Sequence, residues 1–252
     1  MRRAVALAFA LTICILRHGW LRLCGRLTMP QRALWLQESA RRVLRRLNAE
    51  VVVEGEPPAC GLVVANHLSY LDVLVFSAAM PCFFVAKIDV GHWPLFGWAA
   101  RAGGTIFLDR MSLASAAAVA SQIAERLNLP VPVLLFPEGT STDGTQVLRF
   151  HSRLIEPATA AGAPITAAAI RYEIDRSDGA DGAEERELCW YGDEEFLPHL
   201  WKVLGVKRFS AHLQFGQPRI YANRRAAAMR THAEVSAMRE TQNRSESAVA
   251  AP

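Results

Sequence analysis

The chain has 252 residues, with 28 lysines and arginines against 24 aspartates and glutamates and a formal net charge of +4. This length accommodates one sizeable domain, and the basic excess is too small to indicate a nucleic-acid-binding protein. It is compatible with anionic lipid surfaces or acidic protein partners. The five cysteines are odd in number and have no metal-binding or redox spacing, which favours reduced thiols on the cytoplasmic side.

The N-terminal segment is strongly apolar. After MRR, the thirteen residues AVALAFALTICIL precede Arg17. This run is short for a bilayer span of about 20 residues and also fits a signal peptide, but no A-x-A-like cleavage site follows. The next stretch, RHGWLRLCGRLTMPQRALWL, interleaves Arg with Trp and Leu, as in a helix lying in the membrane interface. We expect an uncleaved membrane anchor, spanning or interfacial, over residues 1–48, or alternatively an amphipathic helix packed on the domain.

Helical and strand patterns then alternate along the chain. A basic amphipathic helix is predicted over Glu38–Leu47, followed by the strands AEVVVE and GLVVAN, a helix from Leu71 to about Met80, and the strand CFFVAK. The segment KIDVGHWPLFGWAARAGG places aromatic residues among turn formers. It is predicted to be a loop that seats an acyl chain or rests on a bilayer, with core packing as the alternative.

The second half of the chain continues the alternation of strands and helices. The strand TIFL, an alanine-rich helix from about Ser112 to Leu127 and the strand VPVLLF precede the strand PITAAAIRYE. An exposed acidic loop (DRSDGADGAEERE), a helix (EEFLPHLWKVLG) and a strand (FSAHLQFG) follow. We expect one α/β domain over residues 49–222, and then a helix from about Arg224 that fades into a disordered tail, QNRSESAVAAP, within residues 223–252.

Three predicted strands end in polar residues. The strands LVVAN, TIFL and VPVLLF finish respectively in Asn66-His67, Asp109-Arg110 and Glu138-Gly139-Thr140. Ligand sites in open α/β sheets lie at the carboxyl ends of the strands. We therefore expect these groups to share one edge of the sheet.

His67 and Asp72 have the composition of an oriented general base, an imidazole with a carboxylate that fixes its tautomer. Five residues of a continuous helix turn through about 500°, so the two side chains cannot touch on one straight helix. If they meet, His67 lies on the turn between strand and helix, and Asp72 lies in the first helical turn and points back. A structural, hydrogen-bonded histidine is the alternative.

The motifs, taken in order, resemble the membrane acyltransferases typified by lysophosphatidic acid (1-acylglycerol-3-phosphate) acyltransferase. The resemblance covers about Val63 to Ile170, and its blocks are Asn66-His67-x4-Asp72, Lys87 ahead of the Pro94/Gly97 stretch, Gly104-x2-Phe107-x-Asp109-Arg110, Phe136-Pro137-Glu138-Gly139-Thr140, and a weaker APITAAAI. It implies a glycerolipid-acyltransferase-like α/β fold with a mixed central sheet flanked by helices. It also implies a location on the cytoplasmic face of the inner membrane.

The resemblance implies acyl transfer from an acyl carrier protein or coenzyme A thioester to a lipid hydroxyl, without a cofactor. His67 is then the general base and Asp72 its orienting carboxylate. The substrate-binding residues implied are Asn66, Lys87, Arg110, Glu138, Gly139 and Thr140. Structural alternatives remain: Arg110 in a salt bridge with Asp109, and Glu138 as a cap of the following turn.

The third motif departs from the family pattern, and this bears on the acceptor. The family usually continues with an arginine and a serine, whereas this chain reads Ser141-Thr142-Asp143-Gly144. The missing cation suits a zwitterionic or amine-bearing headgroup, as in the lyso-ornithine lipid branch. Alternatively Lys87 or Arg153 supplies the charge, and the acceptor is lysophosphatidate (1-acylglycerol-3-phosphate), which is the acceptor that we expect from the resemblance, with lyso-ornithine lipid as the alternative. In the fourth block, Ala167 replaces a usual proline, which affects the local turn rather than the chemistry.

Other function classes find less support in the sequence. A hydrolase built on His67 and Asp72 needs a G-x-S-x-G nucleophile elbow, and the chain has none. No HExxH-like spacing indicates a metal hydrolase. A catalytically silent membrane-binding module remains as an alternative of another class.

Overall fold

The central element of the fold is a seven-stranded mixed sheet. The structure, a computed structural model, describes residues 2–93, 95–109, 113–175 and 185–249. The strands are β1 (Ala49–Glu54), β2 (Leu62–Ala65), β3 (Phe83–Lys87), β4 (Ile106–Leu108), β5 (Val133–Leu135), β6 (Ile165–Ile174) and β7 (Phe209–Phe215). Their order in the sheet is β1-β7-β6-β2-β5-β3-β4. Only the β6/β7 pair within this sheet is antiparallel, so the predicted mixed α/β architecture is confirmed.

Helices cover both faces of the sheet. They are α1 (Arg2–Leu23), α2 (Met29–Leu47), α3 (Leu71–Ala79), α4 (Ile88–Gly91), α5 (Phe96–Ala102), α6 (Leu113–Leu127), α7 (Glu156–Ala160), α8 (Phe196–Gly205) and α9 (Arg224–Val249). Short 3₁₀ helices span Ser152–Ile155 and Glu185–Glu187. The core on one face includes side chains from α1, α2, α3 and α8, and the core on the other face includes α6, α7 and α9.

Strand β2 lies in the middle of the sheet, between β5 and β6. All four of its residues are buried, because Val63 and Ala65 face one core while Leu62 and Val64 face the other. A strand that is apolar on both sides is typical of a parallel sheet covered by helices on each face. This position places Asn66 and His67, which follow β2 directly, at the carboxyl edge of the parallel strands.

Three elements differ from the sequence-based predictions. Helix α2 begins at Met29 rather than Glu38, because Pro30 fits the first helical turn. The predicted aromatic loop contains α4 and α5, whose short lengths leave too few turns for a periodic signal; Pro94 lies outside the described residues. Helix α9 continues to Val249, so the helix extends through most of the segment predicted to be disordered.

Helix α1 packs along the domain and also exposes an apolar surface. Near its start, the Arg3 guanidinium donates to the main-chain oxygens of Val206 and Lys207. Further along, Trp35 of α2 donates its indole N–H to the oxygen of Cys14 at 3.0 Å. By length and composition alone, α1 is also able to cross a membrane. The sequence is compatible with two alternatives for this segment, an apolar helix that anchors in a membrane and a helix packed on the domain. Helix α1 is apolar and long enough for the first, and it also packs on the domain.

Candidate active site

His67 and Asp72 meet where β2 runs into α3. Asp72 is the second residue of α3, and its Oδ2 lies 2.7 Å from Nδ1 of His67. His67 itself lies on the connection between strand and helix. The two residues thus form a hydrogen bond across the turn between strand and helix. This is the geometry that the sequence predicts for the case in which they meet, with His67 on the turn and Asp72 in the first turn of the helix.

The Asp72 carboxylate is completely buried and accepts four hydrogen bonds. Besides His67, its Oδ2 accepts from the main-chain N–H groups of Leu68 at 2.7 Å and Ser69 at 3.1 Å. The Tyr172 hydroxyl donates to Oδ1 at 2.5 Å. Burial raises the pKa of Tyr172 well above its ordinary value, and the adjacent Asp72 charge adds to this, so the phenol stays a donor. Four donors offset the cost of burying a carboxylate and fix its orientation.

These contacts determine the tautomer of His67. An ionised Asp72 can only accept, so Nδ1 carries the proton and Nε2 keeps its lone pair. No described residue hydrogen-bonds to Nε2, and 21% of the His67 side chain is exposed. Phe136, which follows β5, stacks on the imidazole with ring centroids 4.1 Å apart and an interplanar angle of 12°. The ring is held in one plane with its basic nitrogen open to a substrate.

Glu138 joins three segments of the site. It is 4% exposed. Its Oε1 accepts from the main-chain N–H of His67 at 2.8 Å, and its Oε2 accepts from that of Leu148 at 2.7 Å. Burial raises the pKa of Glu138 to about 7, although both N–H groups and the nearby imidazole act to lower it. We propose that Glu138 positions the His67 backbone; its contact with the acceptor stays a prediction.

We expect the stability conferred by Glu138 to depend on pH. Its folded-state pKa of about 7 lies above the ordinary 4.5, so its contribution is present below about pH 4.5 and is lost as the pH rises through about 7. Urea unfolding in detergent micelles should show the wild type losing up to about 3 kcal/mol relative to Glu138→Gln over this range. The exposed Glu56→Gln serves as control, and a difference that does not vary with pH contradicts the assignment.

Asn66, Gly139 and Thr140 lie at the same edge but differ in accessibility. The Asn66 side chain is buried and continues the β2/β6 ladder, since its amide group donates to the oxygen of Ile170 at 3.1 Å and accepts from its N–H at 2.9 Å. Gly139 turns the chain after Glu138 with φ of 77°, a conformation that costs other residues free energy. Thr140 is exposed. Of these three, only Thr140 presents its side chain openly to a ligand.

The two predicted cations are placed differently by the structure. Lys87 ends β3 and is exposed, and it forms no ion pair with any residue that the structure describes. Because β3 runs parallel to its neighbours β5 and β4, Lys87 lies at the same carboxyl edge as His67. Arg110 lies outside the described residues. Its role at a phosphate or a carboxylate stays a prediction.

The segment that departs from the family pattern forms a tight turn over the site. Thr142 donates its main-chain N–H to the oxygen of His67 at 2.9 Å. Asp143 accepts from the N–H of Thr145 at 3.1 Å and from its hydroxyl at 2.7 Å, and these bonds lower the pKa of Asp143. Its second oxygen lies 3.9 Å from Arg186. The turn therefore holds a partly exposed carboxylate one residue after Thr142, which bonds to His67.

Sequence reasoning missed a buried ion pair behind the site. Arg239 of α9 donates to both oxygens of Glu185 at 3.0 and 2.8 Å, and to the main-chain oxygens of Ile170 and Gly144. Glu185 also accepts from the N–H of Tyr172 at 2.8 Å. This network connects α9, β6 and the turn at Gly144 to the residue that supports Asp72. In the sequence, Arg239 looks like one of several solvent-exposed charges on a C-terminal helix, so nothing there predicts its ion pair with Glu185.

An apolar cavity lies beside the first turn of α3. Its volume is about 170 Å³, and it is lined by residues of α1, α2, α3, α5 and α8, among them Leu11, Trp35, Tyr70, Leu74 and Leu200. Tyr70 immediately precedes α3, three residues after His67. Its hydroxyl is bonded to Nδ1 of His199 at 3.0 Å. An apolar space thus lies beside the first turn of α3, the helix that carries Asp72.

Comparisons with known proteins show similarity to acyltransferases. Residues 47–171 match the family model described as Acyltransferase. A lyso-ornithine lipid O-acyltransferase of Pseudomonas aeruginosa is 36% identical over 178 residues, 70% of this chain and 66% of that protein. One from Rhizobium meliloti is 31% identical over 229 residues, 79% of this chain and 78% of that protein. A 1-acyl-sn-glycerol-3-phosphate acyltransferase of Neisseria meningitidis is 31% identical over 64% of this chain and 60% of that protein.

The match to the first of these relatives, and to the Neisseria protein, covers less than two thirds of their length. At the level of fold, the chain is similar to the crystal structure of the 1-acyl-sn-glycerophosphate (LPA) acyltransferase PlsC from Thermotoga maritima. The TM-score is 0.63 with 17% sequence identity, and the match covers 96% of this chain and 98% of that chain. His67, Asp72, Glu138 and Tyr70 all lie within the segment that matches the family model.

Proposed function

Because the chain belongs to the acyltransferase family that includes lysophosphatidic acid and lyso-ornithine lipid acyltransferases, we propose that it is a lysolipid O-acyltransferase. The observation that carries the proposal is the His67–Asp72 pair, with Nε2 open at the carboxyl edge of the sheet. This pair can accept a proton from a hydroxyl and hold the resulting charge. No covalent intermediate on the protein is required, since a thioester is already activated.

In the proposed reaction, the lysolipid hydroxyl oxygen attacks the carbonyl carbon of an acyl thioester. Nε2 of His67 takes the hydroxyl proton as the new C–O bond forms, and Asp72 stabilises the imidazolium. The tetrahedral intermediate collapses with cleavage of the C–S bond. The leaving thiolate takes the proton back from His67, so the enzyme returns to its starting state without a cofactor.

The donor is proposed to be a thioester of acyl carrier protein or coenzyme A. An acyl chain is apolar and needs a dry environment, and the cavity beside Tyr70 is lined by apolar side chains next to the catalytic edge. We propose that this cavity takes an acyl chain of one of the two substrates. The exposed apolar residues of α1 support attachment to a membrane, and we place the site on the cytoplasmic face of the inner membrane.

The proposed acceptor is a lyso-ornithine lipid, and lysophosphatidate is the second candidate. Two relatives with that name and the partly exposed carboxylate of Asp143, which follows the residue that bonds to the His67 oxygen, favour an acceptor that carries an ammonium group. The similarity to the Neisseria enzyme and the exposed Lys87 favour a phosphate. Although Arg186 lies 3.9 Å from the Asp143 carboxylate, the carboxylate is partly exposed and repels a phosphomonoester, which is why the first candidate is preferred.

An acylation assay with purified protein distinguishes the two acceptors. We expect transfer from one acyl-carrier-protein thioester to lyso-ornithine lipid to exceed transfer to lysophosphatidate by at least about tenfold in kcat/KM, or about 1.4 kcal/mol. Asp143→Asn keeps an oxygen for Thr145 but removes the charge, so it should lower this ratio. Faster transfer to lysophosphatidate contradicts the first candidate, and acylation of a different lysolipid alone contradicts both.

A further inference from the structure

Helix α8 presents an apolar face that the rest of the described chain leaves uncovered. Leu197 and Trp201 are 72% and 70% exposed, and they lie four residues apart on one side of the helix. On the opposite side, His199 and Val203 are each 1% exposed. Most of the apolar surface of this tryptophan is in water in the isolated protein. An exposed apolar patch of this kind indicates a surface that binds a partner or a membrane.

The exposure of this face does not arise from a loosely attached helix. His199 is bonded through Nδ1 to the Tyr70 hydroxyl at 3.0 Å. Phe196 contacts the rings of Tyr70, Phe96 and Trp93, with centroids 4.9 to 5.0 Å apart. The inner face of α8 is thus anchored on the aromatic cluster beside the active site. Its outer face is therefore held in a fixed orientation.

Helix α8 meets α1, which also exposes apolar side chains. The two helices are joined where the Arg3 guanidinium donates to the main-chain oxygens of Val206 and Lys207, directly after α8. Both helices line the apolar cavity, α1 through Leu7 and Leu11 and α8 through Leu200. The large exposed apolar residues of α1 are Val5, Phe9, Ile15, Leu16, Trp20 and Leu23.

A bilayer fits this combined surface better than a protein partner does. Trp side chains combine an apolar ring with a polar N–H and are enriched at membrane interfaces. Lys202 follows Trp201, its side chain is 65% exposed, and its ammonium lies 2.6 Å from the Glu194 carboxylate, so a charged pair borders the apolar face as polar groups do at a membrane interface. The apolar lining of the cavity between the helices also suits an apolar molecule, which a lipid phase can supply.

We propose that α8 is a second membrane-contact element, in which Leu197 and Trp201 insert into the bilayer interface alongside α1. The cavity lined by both helices then lies next to the lipid, so that an acyl chain enters it without crossing water. The location of the contact rests on the fold alone. Only the identity of the entering chain rests on the proposed function.

Vesicle binding by variants of exposed residues tests this proposal. The variants are Leu197→Glu and Trp201→Glu, with Met229→Glu as matched control, because Met229 is 68% exposed on α9, which covers the other face of the sheet. We expect each α8 variant to partition into phosphatidylethanolamine/phosphatidylglycerol vesicles at least about tenfold more weakly, as loss of one buried large side chain predicts. The control should bind as the wild type does.

Fluorescence quenching by brominated lipids provides a readout that does not depend on affinity. The wild-type emission should contain a quenched component that disappears in Trp201→Phe. Equal partitioning of all variants together with an unquenched Trp201 overturns the proposal. So does a wild-type dimer in solution that Trp201→Glu dissociates without a change in vesicle binding, because the face is then occupied by a second copy.

Acylation of a short-chain, monomeric lysolipid without vesicles separates the two proposals. The α8 variants should retain this activity, since their substituted side chains are exposed. If the wild type lacks acyltransfer activity under every condition, the proposed function fails while the vesicle measurements still decide the role of α8.

Discussion

Replacement of Asp72 with asparagine is expected to lower kcat/KM for acyl transfer by about 10²- to 10⁴-fold. Asparagine can direct its oxygen toward His67 and the N–H groups of Leu68 and Ser69, and its NH₂ toward the Tyr172 hydroxyl. The hydrogen-bonded geometry is then kept, and what is lost is the negative charge that stabilises the imidazolium. The effect should appear in kcat, with little change in KM, because Asp72 is buried away from the lipid.

Steady-state kinetics with lysolipid in mixed micelles measures this effect. Asp193→Asn is a suitable control, since Asp193 is an exposed acid outside the site. An Asp72→Asn enzyme that retains activity within about threefold of the wild type would show that the charge of Asp72 does not contribute to catalysis.

The His67→Ala variant is expected to lose about 10²- to 10⁴-fold in the rate of transfer and to keep its fold and its binding to vesicles. The deletion removes one donor from the Asp72 carboxylate, but the N–H groups of Leu68 and Ser69 and the Tyr172 hydroxyl remain. The expected cost in stability is therefore about 1 to 3 kcal/mol. Denaturant unfolding of the purified variant checks this second expectation.

A matched histidine variant controls for nonspecific effects. His151 is exposed, and its main-chain N–H, which the substitution keeps, donates to the oxygen of Pro137 at 2.8 Å. His151→Ala should leave the rate of transfer unchanged. A catalytically silent membrane-binding module, the alternative of another class, predicts no transfer by any of these proteins.

The sheet and the contact between His67 and Asp72 could be predicted from the sequence, because local patterns determine both. Strands such as Val133–Leu135 are short runs of apolar residues bounded by turn formers. The pairing of His67 with Asp72 follows from a spacing that excludes a continuous helix and from a strand that ends at Asn66. These features need no knowledge of distant parts of the chain.

The residues that hold the His67–Asp72 pair in place could not be predicted from the sequence, because their contacts depend on how the strands pair. Tyr172 reaches Asp72 only because β6 lies beside β2, with Ala65 opposite Ala168. The Arg239–Glu185 ion pair likewise joins segments that no local pattern relates. The family resemblance predicts Glu138 at the acceptor headgroup, and this stays a prediction; its hydrogen bonds with the N–H groups of His67 and Leu148 were not predicted.

The central claim, that His67 is the general base of a lysolipid acyltransferase, is most directly tested by single-turnover acyl transfer on vesicles. Wild type and His67→Ala are bound to the same vesicles in equal amounts, and one acyl-carrier-protein thioester is added with lyso-ornithine lipid present. We predict that the wild type forms the diacylated lipid and that the rate constant of the variant is at least about 10²-fold lower. Equal rate constants for the two proteins would contradict the account.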